Sequence, residues 1–152
     1  MDYIIRKANI SDAKRLNELL TKLIRDEKKY DDNINENCAV KSYYEYIIPK
    51  EQNIILVAES SNTIVGYLYG YIINDGDTSI NNVAKIDALF IEEDYRHLGI
   101  ATSLINEFKK IIKEDNVKYI EVNVCNNNIE AINTYKNNGF NEIKAITMRV
   151  KL

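Results

Sequence analysis

The sequence predicts a mixed α/β fold, one mostly antiparallel twisted sheet flanked by helices, and three observations lead there. Short apolar runs rich in Ile, Val and Tyr alternate with segments whose apolar residues recur at helical spacing. Turn-forming clusters separate the central runs by only a few residues, as in an antiparallel meander. The last run of that meander, ending at Ile91, passes through a turn into a helix opened by Gly99.

Tyr3 to Ala8 reads as the first strand, and Ser11 as the N-cap of a helix carrying Ala13, Leu16, Leu19, Leu20, Leu23 and Ile24 on one face. The polar, acidic connection Asp31 to Asn37 leads to a second helical stretch around Val40 to Ile48, closed by Pro49. Asn53 to Glu59 and Ile64 to Ile73 form strands on either side of Ser60-Ser61-Asn62. Asn74-Asp75-Gly76-Asp77 then reverses the chain before a strand over Val83 to Ile91. After Gly99, Ile100, Leu104, Ile105, Phe108, Ile111 and Ile112 give a helix with one buried stripe. Tyr119 to Val124 is a strand, Asn128 to Asn138 a helix stopped by Gly139, and Phe140 to Ile143 and Ile146 to Val150 are two short final strands. The order is β-α-α-β-β-β-α-β-α-β-β. With no internal repeat and no composition shift, residues 1–152 read as a single domain.

Composition narrows the function classes. Hydrophobic residues at 45% and charged residues at 28% are globular values, so disordered and fibrous classes are set aside. A net charge of −3 argues against nucleic-acid binding, which needs a basic face. No apolar run is long enough to span a bilayer, and Met1 to Arg6 lacks a basic leader followed by an apolar stretch. The expectation is a soluble cytoplasmic protein without membrane contact. Cys38 and Cys125 lack metal-ligand spacing, and with a single His no metal site is expected. Without a second His, Cys125 reads as a strand-end residue rather than a nucleophile.

Two segments carry chemistry. In the first, Arg96, Gly99 and Ala101 stand at the turn into the helix that begins near Gly99. Its first N–H groups lack intrahelical partners and, with the positive end of the helix dipole, suit an anion. Gly99 lets that anion approach the backbone, and Arg96 can add a charged contact to phosphate oxygens. In the second, Asn128, Ala131 and Tyr135 are spaced along a short helix and followed by Gly139-Phe140.

Together these segments resemble the GNAT superfamily of acyl-CoA-dependent N-acyltransferases. The first matches its Arg/Gln-x-x-Gly-x-Gly/Ala pyrophosphate loop, with Ala101 in place of the second glycine. The second matches its Asn-x-x-Ala-x-x-x-Tyr helix followed by Gly-Phe. The resemblance implies the GNAT fold, acetyl-CoA as cosubstrate, and transfer of an acetyl group to a primary amine by direct attack in a ternary complex. It implies a cofactor site built from Leu89, Phe90 and Ile91, the turn Arg96, His97 and Leu98, the helix start Gly99, Ile100, Ala101 and Thr102, and Asn128 and Tyr135. The oxyanion donor it implies is a backbone N–H near Leu89 to Ile91, where two strands splay to admit the pantetheine arm.

Acyl transfer to an amine also needs a proton acceptor, since an amine titrating near ~10 is mostly protonated at neutral pH, and a donor for the leaving thiolate. Asp87, on the strand leading to the loop, is the candidate base if partial desolvation raises its pKa; its shortness suits relay through a water, and the other reading is a structural carboxylate. The resemblance implies that Tyr135 is the proton donor, a role a phenol can fill; the other reading is a core tyrosine. Asn128 either bonds the cofactor arm or caps its helix. Lys136 suits the 3′-phosphate of CoA or plain solvent, and His97 a phosphate or plain exposure.

The acceptor region is acidic and rich in tyrosine. Glu27, Tyr30 and Asp31, with Asp32, Glu36, Tyr43, Tyr44 and Tyr46 nearby, suit a cationic amine through charge pairing and cation–π contact. They suit equally a solvated loop beside core aromatics. Tyr67, Tyr69 and Tyr71 alternate on one strand and share a face, as the wall of an acceptor cleft or as a homodimer contact. A small cationic molecule is the first expectation for the acceptor, a peptide or protein amine the second. A non-catalytic CoA-binding regulatory module is the reading from another class.

Overall fold

A computed structural model describes residues 2–73, 76, 79–143 and 145–152. Strand β1 (Ile4–Lys7) leads through a 3-10 turn into α1 (Ala13–Glu27), and a long connection reaches α2 (Tyr44–Ile47). Strands β2 (Asn53–Ser60), β3 (Thr63–Ile73) and β4 (Asn82–Ile91) follow, then α3 (Ile100–Lys113), β5 (Val117–Val122) and α4 (Ile129–Asn137). The strands lie side by side in sequence order. Neighbours from β1 to β4 pair antiparallel, and β4 pairs with β5 parallel, the crossover being α3. This is the mixed, mostly antiparallel sheet the sequence predicts. Of the reversal expected at Asn74-Asp75-Gly76-Asp77, only Gly76 lies within the described residues.

Each face of the sheet is covered by helix. Ile54, Leu56, Leu68, Ala84 and Ile86 pack against Ile100, Leu104, Ile105 and Phe108 of α3. On the other face Ile55, Val57, Tyr67, Tyr69, Ala88 and Phe90 pack against Leu16 and Leu19 of α1 and Tyr44 of α2. The close fit on the α3 side requires glycine at 70, because a Cβ there would lie 2.5 Å from Phe108 Cζ.

Strand β4 contributes to both layers through a β-bulge. Tyr69 pairs with Ala88 and Gly70 with Ile86, so Asp87 is the extra residue. Ala84 and Ile86 therefore face α3, while Ala88 and Phe90, which would share that face in a regular strand, face α1.

Three local expectations are corrected. Asn9, not Ser11, caps the entry to α1: its Oδ1 accepts from Ser11 N at 3.0 Å, and Asp12 Oδ2 reciprocates from Asn9 N at 2.8 Å. Asp12 also receives Arg6 at 2.7 and 3.0 Å, so a buried carboxylate is chosen for a cap that meets a cation as well. The second helix shrinks from Val40 to Ile48 to the single turn Tyr44–Ile47. Groups on α1 hold the preceding backbone out of the helix: Thr21 Oγ1 accepts from Val40 N, Arg25 Nε donates to Cys38 O, and buried Asn17 accepts from Tyr43 N and Tyr44 N. The two final strands do not form among the described residues. Residues 145–152 are exposed and join no strand of the sheet, and a strand exists only against a neighbour.

Candidate active site

The bulge at Asp87 is where the sheet opens. Pairing of β4 with β5 ends at Ile86 and Val122, whereas its pairing with β3 continues to Ile91. From Ala88 to Ile91 one edge of β4 therefore has no strand partner among the described residues, and its Ile91 carbonyl is taken by the Arg96 side chain. Phe90 turns its carbonyl towards β3, where a Cβ on Gly66 would lie 2.9 Å from that oxygen. Successive peptide groups alternate in direction, so Leu89 and Ile91 present theirs to the gap.

The gap continues into a cleft of about 290 Å³ whose walls come from α1, the end of β4, the start of α3 and α4. Gly99 sits at the N-terminus of α3 with φ +80°, in the left-handed region where a side chain would be strained. Its demand for glycine is conformational, since the nearest atom to an added Cβ would be Tyr3 Oη at 4.0 Å. No side chain caps this helix. Ile100, Ala101 and Thr102 thus bring unpaired first-turn N–H groups to the cleft wall, a setting that fits a phosphate group.

Of the expected cofactor residues, Leu89, Phe90, Ile91, Arg96, His97, Gly99, Ile100, Ala101, Thr102, Asn128 and Tyr135 all line this cleft. Leu98 does not, and is half exposed. Arg96 lines the cleft while held by contacts within the chain. Its Nε donates to Ile91 O at 3.0 Å, its Nη2 reaches Asp26 Oδ2 at 3.3 Å, and its guanidinium lies over the Phe90 ring. It braces the loop instead of facing the α3 N-terminus. His97 is exposed and 4.0 Å from Glu130, and Lys136 pairs with Glu142 at the surface. Asn128 is the cap of α4, its Oδ1 accepting from Ala131 N at 3.1 Å, and its amide NH2 stays available to the cleft.

Tyr135 is buried against Phe140, ring centroids 5.3 Å apart. Burial pushes its phenol well above the ordinary range, so it keeps its proton at neutral pH. Among the described residues nothing hydrogen-bonds its hydroxyl. Asp87 does not meet its expectation of burial: its side chain is exposed and does not line the cleft, because a bulged residue stands out of both packed faces.

Glu27 does line the cleft. Though solvent reaches it, the concave wall around it removes part of its hydration, and this desolvation, reinforced by the negative charge of Asp87, raises its carboxyl above the usual range. Tyr30 lines the cleft beside it. Asp31 does not, being held in a two-pronged pair by Arg149 at 3.0 and 2.8 Å. Tyr43, Tyr44, Tyr67 and Tyr69 fill the space behind, their phenols raised first by burial and in part by Asp87. The alternating tyrosines do share one face, and Tyr67 and Tyr69 belong to the core under α1 and α2.

The sequence reading missed Asp26, Thr134 and Asn138. Asn138 is buried and donates to Thr102 Oγ1 at 3.2 Å and Thr134 O at 2.8 Å, joining α4 to the first turn of α3. The signal was present, for Asn128, Ala131, Tyr135 and Asn138 recur at the spacing of one helix face.

A sheet opened beside a bulge, with an uncapped helix start and a buried tyrosine on the rim, defines an acyltransferase type of fold. The chain belongs to the acetyltransferase (GNAT) family, whose model matches residues 17–140. It is 26% identical over 144 residues to an uncharacterised N-acetyltransferase of Methanocaldococcus jannaschii, covering 95% of this chain and 63% of that protein. An N-alpha-acetyltransferase of Sulfurisphaera tokodaii is 30% identical over 118 residues, covering 68% of this chain and 67% of the relative. The chain thus spans about two thirds of the length of these relatives. In fold it superposes on a mutant of a Bacillus halodurans protein with a TM-score of 0.86 at 20% identity, over 98% of this chain and 99% of the other.

Proposed function

We propose that residues 1–152 act as an N-acetyltransferase domain using acetyl-CoA and a primary amine brought together in the cleft. The observation that carries this reading is the meeting of three features in one cavity: the uncapped start of α3, the edge of β4 without a strand partner among the described residues, and Tyr135. Bound acetyl-CoA supplies an activated thioester. The N–H groups of Ile100, Ala101 and Thr102 hold its pyrophosphate, and the exposed peptide edge at Leu89 and Ile91 seats the pantetheine arm as an added strand would be seated. The N–H of Leu89 stabilises the negative charge that gathers on the carbonyl oxygen.

Glu27, assisted by Asp87, receives the proton of the ammonium acceptor. Its raised pKa brings it closer to the task than an ordinary carboxylate, and the two carboxylates with Tyr30 favour a cationic ligand. Tyr135 hydrogen-bonds the departing sulfur. Since its phenol is a weaker acid than a thiol, complete transfer of its proton runs uphill, and its work is chiefly to stabilise the sulfur until a proton arrives.

A small cationic amine is the first acceptor class. The likeness to an N-alpha-acetyltransferase supports a second, the amino terminus of a peptide or protein. Thiol release from acetyl-CoA, followed with a panel of polyamines, monoamines and peptides, separates them. Activity that Tyr135→Phe lowers at least tenfold supports the enzyme reading; tight acetyl-CoA binding without turnover on any acceptor supports the regulatory module instead.

A further inference from the structure

We propose that Asn138 is a positioning residue: it rivets α4 to the first turn of α3 and so sets Tyr135 at the cleft. The effect on rate rests on the acetyltransferase reading; the joint itself does not. Helix α4 has little apolar surface with which to fix its own place. It is nine residues long, and among the described residues Tyr135 is the only one of them that is buried. A helix with so narrow an apolar face needs other bonds to hold its register.

Asn138 follows α4 directly and is buried. Its Nδ2 donates to Thr134 O at 2.8 Å and to Thr102 Oγ1 at 3.2 Å, its backbone N–H donates to Tyr135 O at 2.9 Å, and its carbonyl accepts from Lys109 Nζ at 2.6 Å. The end of α4 that carries Tyr135 is thus pinned to α3 at Thr102 and again at Lys109, about two turns further along.

Chemistry settles which way these bonds run. Thr134 O only accepts, so the amide nitrogen of Asn138 is the atom that faces both partners, and a nitrogen with both hydrogens committed accepts nothing from Thr102. The hydroxyl hydrogen of Thr102 is left for the cleft, which Thr102 lines at the start of α3. A phosphate oxygen seated there accepts that hydrogen bond, and through Thr102 and Asn138 it bears on the turn that holds Tyr135. The anchor of the cofactor and the partner of its sulfur are then joined by one side chain.

Asn138→Leu keeps the branching of the side chain and removes both donors. It should lower kcat about tenfold, the scale of Tyr135→Phe, with little change in KM for acetyl-CoA. The double variant Asn138→Leu, Tyr135→Phe should be no slower than Tyr135→Phe, because both changes take away one contact. Multiplied losses in the double variant, or a native kcat in Asn138→Leu, overturn the proposal. Amide exchange needs no turnover: Asn138→Leu should release the amides of residues 132–137 and leave those of 104–112 protected as in the native chain. Thr102→Val, which cuts the joint from its exposed end, should do the same, and it decides the matter if Asn138→Leu unfolds. Native protection of α4 in either variant overturns the proposal. Release of α4 in a chain that turns over no acceptor upholds the joint and overturns the acetyltransferase reading alone.

Discussion

Arg96 Nη2 lies 3.3 Å from Asp26 Oδ2, so the turn that precedes α3 is tied to the last turn of α1 within the lining of the cleft. A phosphate at the α3 N-terminus and Asp26 are then rivals for one guanidinium. Asp26→Ala should tighten acetyl-CoA binding, by about fivefold at most, because a partly exposed pair is worth only ~0.2–1 kcal/mol. Titration calorimetry reads this directly. Unchanged or weaker binding would mean that Arg96 stays on the Ile91 carbonyl when the cofactor is bound.

Ala101→Glu separates folding from binding at the helix start. An acidic residue in an uncapped first turn favours the helix by ~0.3–1 kcal/mol, yet it places charge and bulk where phosphate would sit. The variant should melt at or above the native temperature and should lose the rise that acetyl-CoA gives the native protein. A retained rise would remove the pyrophosphate from this site.

Glu27 acts as a base only when ionised, and its pKa lies above the ordinary value, so turnover should fall as pH drops through that raised pKa. Asp87→Asn removes a neighbouring negative charge and should move the acid limb of kcat to lower pH. Glu27→Gln should abolish that limb and most of the rate. An acid limb indifferent to both changes would assign the proton to another group.

Asn17 is buried in α1, where its Oδ1 accepts from Tyr43 N at 3.2 Å and Tyr44 N at 3.0 Å, and its Nδ2 donates to Glu45 Oε2 at 2.8 Å. Asn17→Ala leaves the two amides without that acceptor and should cost roughly 1–3 kcal/mol in chemical denaturation. The same variant should weaken amine binding more than acetyl-CoA binding, because Tyr43 and Tyr44 stand behind the acceptor wall.

The α3 and α4 walls of the cleft were legible in the sequence because their parts are local. A left-handed glycine at a helix start and a tyrosine seven residues beyond a cap are written within short windows, and Gly99, Asn128 and Tyr135 stand where their spacing put them. The α1 wall was less legible. The raised carboxyl of Glu27 depends on a concavity assembled from α1 and on Asp87, sixty residues away in sequence, and no periodicity in either segment announces it. The burial expected of Asp87 failed for a similar reason, since a bulge is a mismatch between two strands and belongs to neither alone. The final strands failed on partnership: Ile146 to Val150 has the right alternation, but alternation specifies a face and says nothing of which edge will receive it.

The bulge at Asp87 has a consequence resembling that of an inserted letter in a reading frame. Upstream of it, even-numbered residues of β4 address α3; downstream, even-numbered residues address α1. Removing that one residue would restore a regular ladder in which Ile86 still meets Gly70 and Ala88 still meets Tyr69, so each layer would keep its residues and only the irregularity between them would be lost. The point where the frame shifts is also the point where the sheet parts.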